Sequence, residues 1–496
     1  MIGLKHLNEL AAQLSKVTIF GDGDQMISSI YSNSRKVKKG SLFIALPGHR
    51  VHGRDYVESA IASGASGILT EEKLELPVPQ LVVPNIHEAM EKIVPYFYDY
   101  PGRKMRMIGV TGTNGKTTTT FLIHHLLQKA GIETGLIGTI CNRIGAQEIT
   151  SENTTPDVTQ LQLFLSEMVQ AKVTTVVMEV SSHALALNRV AGCEFDVAAF
   201  TNLTQDHLDF HGSLEEYKNE KLKLFTSVSS GEKGAKRAIV NLDDPAGQEF
   251  YEASLVPCWT YGQGDGADFF VKNAEISQWG TRLELRTPDG DRSLYSPLTG
   301  DFNIYNVLAA VAVARAEGVE WSVIEGALKD FSGVPGRFEQ VSTNKKHPLV
   351  VVDYAHSPDG LKNVLETARK LTSQKVISVF GCGGDRDRTK RPLMGGIGAD
   401  LSDLAIVTSD NPRSEDPEEI LKDILTAWEF NGKELPLVEI DRQKAIETAI
   451  SLAEPGDVVV IAGKGHETYQ ILKDKTIHFD DREIARDALE AKYGCI

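Results

Sequence analysis

"GVTGTNGKTTTTFLIHHLLQKAG", Gly109 to Gly131, leads from an apolar strand-like run into an amphipathic helix through a turn of glycine, threonine and lysine. In that order, backbone N–H groups and a helix N-terminus converge on phosphate. Gly112, Thr113, Asn114, Gly115, Lys116, Thr117 and Thr118 are therefore the candidate nucleotide-binding residues. Lys116 would reach the β- and γ-phosphates of a nucleotide, and the Thr117 hydroxyl would ligate Mg2+. The usual first glycine of such a loop is displaced: Val110 stands five residues before Gly115, and the nearer glycine is Gly112. A phosphate loop alone leaves open a motor, a switch, a kinase or a ligase.

Outward from the loop, the runs "TTVVMEVSS" and "FDVAAFTNL" alternate with helical patterns, which predicts an α/β chain with a mostly parallel sheet and crossover helices. Glu179 stands at a strand end, where a carboxylate can complete a magnesium shell opposite Thr117. "TNLTQDHLDFHG" supplies Asp206, His207, Asp209 and His211. The spacing of the two histidines suits zinc, but no third ligand is apparent, and singly satisfied histidines are the commoner case. Farther on, "LVVVDYAH", "VISVFGCGG", "LAIVTSD" and "DVVVIAGKG" all end in polar or glycine residues. Ligands of open α/β sheets gather at the carboxyl ends of the strands, so these four ends nominate one wall of a site. "DNPRSEDP", Asp410 to Pro417, follows the third of them and fixes Arg413 beside a proline among three carboxylates, Asp410, Glu415 and Asp416.

Length and composition bound the rest. At 496 residues the chain is too long for one core, and its 41% hydrophobic and 24% charged content is that of a globular protein. Turn-rich "YDYPGRK" (Tyr98 to Lys104) and "FSGVPGRFE" (Phe331 to Glu339) divide it into expected domains 1–100, 101–333 and 334–496. A formal charge of −16 disfavours a general nucleic-acid surface. No apolar run suits a membrane span, and "MIGLKHLNEL" lacks the pattern of an export signal, so a cytoplasmic location is expected. Cys141, Cys193, Cys258, Cys382 and Cys495 are scattered and odd in number, as reduced thiols would be.

Seven segments, in order and at the expected spacing, resemble the Mur ligase family, the ATP-dependent amide-forming enzymes of peptidoglycan synthesis. They are "TGTNGKTTT", "MEVSSHAL", "TNLTQDHLDFHG", "YKNEKLKLF", "GDFNIYNVLAA", "GRFE" and "DYAHSPDG". The resemblance implies an N-terminal domain for a UDP-sugar, a central ATP-binding domain and a C-terminal Rossmann-like domain for an incoming amino acid. It implies that Lys221 is carbamylated by CO2 and, with His207, holds a second metal, while Thr117 and Glu179 hold the first. Read without the family, Lys221 is a surface helix lysine. Asn303 and Asn306 match adenine-side asparagines, although they also suit a helix cap and its neighbour. Arg337 and Asp353 match residues brought to ATP on closure.

Within the family, the first block and the strand ends look like the branch that extends UDP-N-acetylmuramoyl-L-alanyl-D-glutamate by a diamino acid. Ser34 matches a uridine-side serine, and Asn153, Thr154, Thr155, Ser181 and Arg189 match residues around the muramoyl-dipeptide. Leu187 replaces a glutamine found in some relatives. Asp410, Asn411, Pro412 and Arg413 resemble the loop of enzymes that add meso-diaminopimelate rather than L-lysine. Those two substrates differ by one distal carboxylate, for which an arginine fork is suited. Arg386, Gly463 and Glu467 would hold the rest of the zwitterion. The competing reading pairs Arg413 with Glu415 or Asp416 across its own loop. A monomer is expected, and folylpolyglutamate synthetase and a nucleotide-driven ATPase switch are the other readings.

Overall fold

The computed structural model describes residues 3–47, 52–228, 233–342, 344, 346–428 and 435–494. Cys495 lies outside them, as does part of the uridine-side segment, residues 48–51. Internal contacts divide the chain into two compact units. The first is Met1–Phe270 with Leu308–Ile324, and the second is Val271–Val307 with Glu325–Ile496.

Two larger sheets have strands in the first unit, beside a two-stranded pairing of Lys5–His6 with Met26–Ile27. Strands Ser29–Tyr31, Ser41–Ile44, Ala65–Thr70 and Gln80–Val82 pair in parallel, with Thr18–Phe20 antiparallel at one edge. Helix Ile86–Phe97 covers them, its first turn capped by Asn85, which accepts from His87 N and Glu88 N at 3.0 and 3.2 Å. Its buried face, Ile86, Met90, Ile93, Val94 and Phe97, joins Leu42, Ile44 and Leu69 in one core.

The other sheet places six parallel strands in the order Thr134–Ile137, Thr175–Glu179, Arg106–Thr111, Val197–Phe200, Arg237–Asn241 and Cys258–Gly262. Chain order reverses beside Arg106–Thr111, and such a switch point opens a crevice at the strand ends. Thr111, Glu179 and Phe200 all end their strands there. The strands are buried and largely apolar along their middles, as suits a parallel sheet covered on both faces.

In the second unit, Leu349–Asp353, Val458–Ala462, Val376–Phe380, Leu404–Thr408 and Leu437–Glu439 lie parallel in that order, with Glu339–Gln340 antiparallel at the edge. Separate cores fill its two faces, one around Leu361, Phe380 and Met394, the other around Ile377, Ile446 and Leu489. The four runs singled out in the sequence are four of these strands, so their polar ends do meet along one edge of the sheet. Among the described residues, no helix is long and apolar enough to cross a membrane.

Candidate active site

The glycine turn is built as its sequence requires. Gly112 and Gly115 adopt φ of 148° and 84°, in the half of conformational space that favours glycine. A side chain at Gly112 would stand 1.9 Å from Thr201 Oγ1. This explains the shifted spacing: Val110 is still within the buried strand, and the close approach falls two residues later. The loop is braced from the next strand end. Thr201 Oγ1 donates to Asn114 O at 2.7 Å, Asn114 N donates to Asn202 Oδ1 at 2.9 Å, and Thr113 N donates to Asn202 O at 2.8 Å. Helix Lys116–Lys129 then starts at Gly115 with no side-chain cap and no acidic residue in its first turn. Its N-terminal N–H groups and dipole therefore favour an anion. Lys116 Nζ is folded back onto Gly112 O and Thr113 O, at 2.9 and 2.8 Å.

Behind the turn, Glu179 is fully buried and collects hydroxyl groups. Thr117 Oγ1 and Thr139 Oγ1 donate to its Oε2 at 3.1 and 3.0 Å, and Thr139 N donates to Oε1 at 2.8 Å. From there a bonded path leads through the dipeptide-side candidates. Thr139 Oγ1 meets Thr154 Oγ1 at 3.1 Å, and Thr155 Oγ1 donates to Glu179 O at 2.8 Å. Ser181 N donates to Thr155 Oγ1 at 3.1 Å, and Arg189 Nη1 donates to Thr155 O at 3.1 Å. Asn153 and Leu187 are exposed, while Ser34 sits half-buried in a short turn, Ser34–Lys36. Sequence reasoning missed Thr139, Thr201 and Asn202. Each follows the end of an apolar run, and the rule that nominated the later strand ends would have found them here too.

Lys221 is the largest departure from its local sequence. On helix Leu214–Ser227 it is 1% exposed, with Nζ donating to Gly112 O at 2.8 Å and lying 4.3 Å from the Tyr217 ring centre. Burial, and then the charge of Lys116, hold its amine well below the ordinary lysine range, with Asp206 acting in the opposite sense. A shift in that direction enlarges the neutral, nucleophilic fraction of the amine. His207 is exposed at φ 54°, with its ring 4.8 Å from that of His183. His211 is buried, and its Nε2 lies 2.9 Å from Ser182 Oγ, which accounts for it as a satisfied histidine. The Asp209 side chain lies outside the described residues. Among the described residues, no group of three or more His, Cys, Asp or Glu side chains could hold a metal. The Thr117 hydroxyl and Glu179 carboxylate, 3.1 Å apart, are hard oxygen donors that fit Mg2+ completed by phosphate oxygens.

In the second unit, Asn303 and Asn306 are buried, with Asn303 Nδ2 donating to Thr299 O at 2.8 Å and Asn306 Nδ2 donating to Asn303 Oδ1 at 2.9 Å. Asp353 accepts from Phe338 N and Ala355 N at 2.6 and 2.8 Å. Burial raises its pKa against the opposing pull of Arg337.

Asp410 is buried beside Gly463, whose φ is 123° and where a side chain would stand 2.5 Å from Asp410 Oδ2. Asn411 is a hub, bonded to Glu467 Oε2 at 2.9 Å, Lys464 Nζ at 3.2 Å and Ile471 N at 2.9 Å. Arg386 is exposed. Arg413 is half-buried at φ 52°, and its Nη1 donates to Gly384 O and Asn411 O at 2.9 and 3.5 Å. The loop ion pair does not form. Glu415 is held by Arg391 and Arg388 at 2.9 and 2.8 Å, and Asp416 caps helix Pro417–Leu425 through Glu418 N. Two competing carboxylates are thereby occupied elsewhere.

A phosphate-binding turn at a sheet switch point, backed by a Thr–Glu oxygen pair, defines a nucleotide-binding α/β enzyme with a second parallel sheet whose strand ends gather charge. The chain belongs to the Mur ligase family. The Mur ligase middle domain matches residues 110–314, the Mur ligase glutamate ligase domain residues 336–465, and the Mur ligase family catalytic domain residues 26–99. Among its relatives is the UDP-N-acetylmuramoyl-L-alanyl-D-glutamate--2,6-diaminopimelate ligase of Gloeobacter violaceus, 49% identical over 469 residues, 94% of each chain. The Bacillus cereus protein of the same name is 44% identical over 98% of this chain and 99% of its own. A solved structure of a ligase of that name is 34% identical, covers 99% of both chains and superposes with a TM-score of 0.69.

Proposed function

We propose that the chain is an ATP-dependent ligase that joins meso-diaminopimelate to the D-glutamyl γ-carboxylate of UDP-N-acetylmuramoyl-L-alanyl-D-glutamate, in the cytoplasmic synthesis of peptidoglycan precursors. The observation that carries the choice of amino acid is Arg413. In a chain whose near full-length relatives bear this ligase name, its guanidinium is oriented by carbonyls and has no ion pair among the described residues. A distal carboxylate supplies what that fork lacks, and lysine has none.

The γ-carboxylate attacks the γ-phosphorus of ATP, ADP leaves, and an acyl phosphate remains. The diaminopimelate amine then attacks the acyl carbon, and the tetrahedral intermediate expels phosphate. The first step is needed because an oxide is a poor leaving group. The turn's N–H groups and Lys116 stabilise charge on the transferring phosphoryl group. Thr117 and Glu179 would hold Mg2+, with His207 and carbamylated Lys221 at a second site. Bound there, the metal screens the repulsion between the two anions. In forming the carbamate, the neutral Lys221 amine adds to CO2 and loses a proton, which turns a buried amine into an anionic oxygen ligand.

Ser34, Asn153, Thr154, Thr155, Ser181 and Arg189 are assigned to the UDP-sugar dipeptide. Arg386, Asp410, Asn411, Pro412, Arg413, Gly463 and Glu467 are assigned to diaminopimelate. Asn303, Asn306, Arg337 and Asp353 are assigned to the nucleotide by family likeness alone.

The test is phosphate release from ATP with UDP-N-acetylmuramoyl-L-alanyl-D-glutamate, offering meso-diaminopimelate and L-lysine in separate reactions. Release with diaminopimelate alone is expected. Preference for lysine would keep the ligase and discard the role of Arg413, and silence with both would discard the ligase.

A further inference from the structure

Glu415 follows Arg413 by two residues and is the carboxylate best placed in sequence to neutralise it. It is turned elsewhere. Its Oε1 accepts from Arg391 Nη2 at 2.9 Å and from Asp385 N at 2.6 Å, and its Oε2 accepts from Arg388 Nη2 at 2.8 Å. Arg391 is fully buried, and its other arm, Nη1, donates to Asp423 Oδ2 at 2.8 Å, so the guanidinium is fixed from two sides. The bond from Arg391 is also the chief reason that the Glu415 carboxyl is held down at about 2. Asp385, another acid acting on Arg413, is engaged as well, accepting from Ser414 Oγ at 2.6 Å and Ser414 N at 3.1 Å.

A carboxylate tethered two residues from Arg413 would compete with substrate at an effective concentration of about millimolar or higher. Arginine also pairs with carboxylates wherever geometry allows. We propose that Arg391, assisted by Arg388, is a guard that holds Glu415 away from Arg413 and so keeps that guanidinium open to the distal carboxylate of the incoming amino acid. The inference rests on the reading of Arg413 given above. Arg391 touches no substrate and is a positioning residue. A plain structural clamp between the two loops makes a different prediction for the paired variants: either loss already breaks the pair, so the double variant would stay about as impaired as Arg391→Met.

The experiment measures KM for diaminopimelate, ATP and the UDP-sugar dipeptide in the full-length enzyme and in Arg391→Met, Glu415→Gln, the double variant and Arg413→Ala. Arg391→Met is expected to raise the diaminopimelate KM about tenfold with little change for ATP, because the freed Glu415 captures Arg413. Adding Glu415→Gln to that variant should bring the value back to within about threefold of wild type, since a neutral amide cannot form the ion pair.

A double variant as impaired as Arg391→Met, or more so, overturns the guard, as does an equal rise in the ATP KM. Should Arg391→Met fail to fold, Arg388→Ala at its exposed site carries the same test: a rise of about two- to fourfold that Glu415→Gln removes. No rise, or one that persists, overturns the guard there too. An unchanged diaminopimelate KM in Arg413→Ala would sink the underlying reading. A raised value without rescue by Glu415→Gln would sink the guard alone.

Discussion

At the glycine turn of the first unit, the amines of Lys116 and Lys221 are bonded to the main-chain carbonyls of Gly112 and Thr113. At the strand ends of the second unit, Arg388, Arg391, Arg442 and Lys464 are each bonded to a carboxylate. A carbonyl dipole orients an amine without bringing a full negative charge, whereas a carboxylate brings one. The first arrangement suits a polyanion such as a triphosphate. The second suits a zwitterion, which needs local charges in fixed places and little net field. Arg413 differs from these four, since it donates to carbonyls, as Arg386 and Lys390 do to Asp385 O and His356 O. It behaves like a fragment of the first region set inside the second.

The largest effect should come from breaking the first region at Lys221. Lys221→Ala is expected to lower ligation by about a thousandfold or more, because it removes a proposed metal ligand and the charge screening that goes with it. Phosphate release checks this, with circular dichroism to establish that the fold survives. Carbon dioxide depletion of the wild-type enzyme should mimic the loss, and bicarbonate should reverse it. Turnover close to wild type in the variant would leave Lys221 as a buried structural amine.

Arg413, in the second region, is tested next. Arg413→Ala is expected to lower kcat/KM for diaminopimelate about a hundredfold while leaving the ATP KM within about threefold, because an arginine paired with a desolvated carboxylate contributes on the order of 3 kcal/mol. Equal losses for both substrates would mean that Arg413 only shapes the loop.

The two regions were not equally legible in the sequence. The phosphate turn is a local feature, strand then glycine then helix, so Gly112 to Thr118 could be read from adjacent residues. The C-terminal strand ends were legible as well, because buried parallel strands are continuous apolar runs that stop where ligands begin. Lys221 was not. "YKNEKLKLF" reads as an exposed helix, and the lysine is buried because the helix packs closely on Gly109, where a side chain would stand 3.1 Å from Leu224 Cδ1. That approach depends on residues about a hundred positions apart, and only the family resemblance singled out the lysine. In the sequence Glu415 reads as a partner of Arg413, but it is bonded to Arg391, 24 residues away on helix Lys390–Leu401.

A smaller effect sharpens the first region. Thr139 bonds Glu179 through both its N–H and its hydroxyl, so Thr139→Val keeps the former and deletes the latter. The loss of one hydroxyl bond to a carboxylate should cost about 1 to 2 kcal/mol, seen as roughly a five- to thirtyfold fall in kcat and a higher Mg2+ requirement. An unchanged Mg2+ requirement would separate Glu179 from the metal.

The smallest effect concerns pH and the carboxylate pairs of the second region. Glu415 has its carboxyl depressed from 4.5 to about 2, chiefly by the hydrogen bond from Arg391. A group depressed on folding contributes stability that is fully present above its unfolded value and lost as pH falls through its folded value. The stability difference between wild type and Glu415→Gln should therefore be flat from neutral pH down to about 5, then shrink as pH falls through 4.5 toward about 2. Denaturant unfolding at a series of pH values measures it. A difference that instead shrinks between pH 8 and 6 would assign the pairing to a group other than this carboxylate. The contrast between amines bonded to carbonyls and cations bonded to carboxylates would then need redrawing around Arg391.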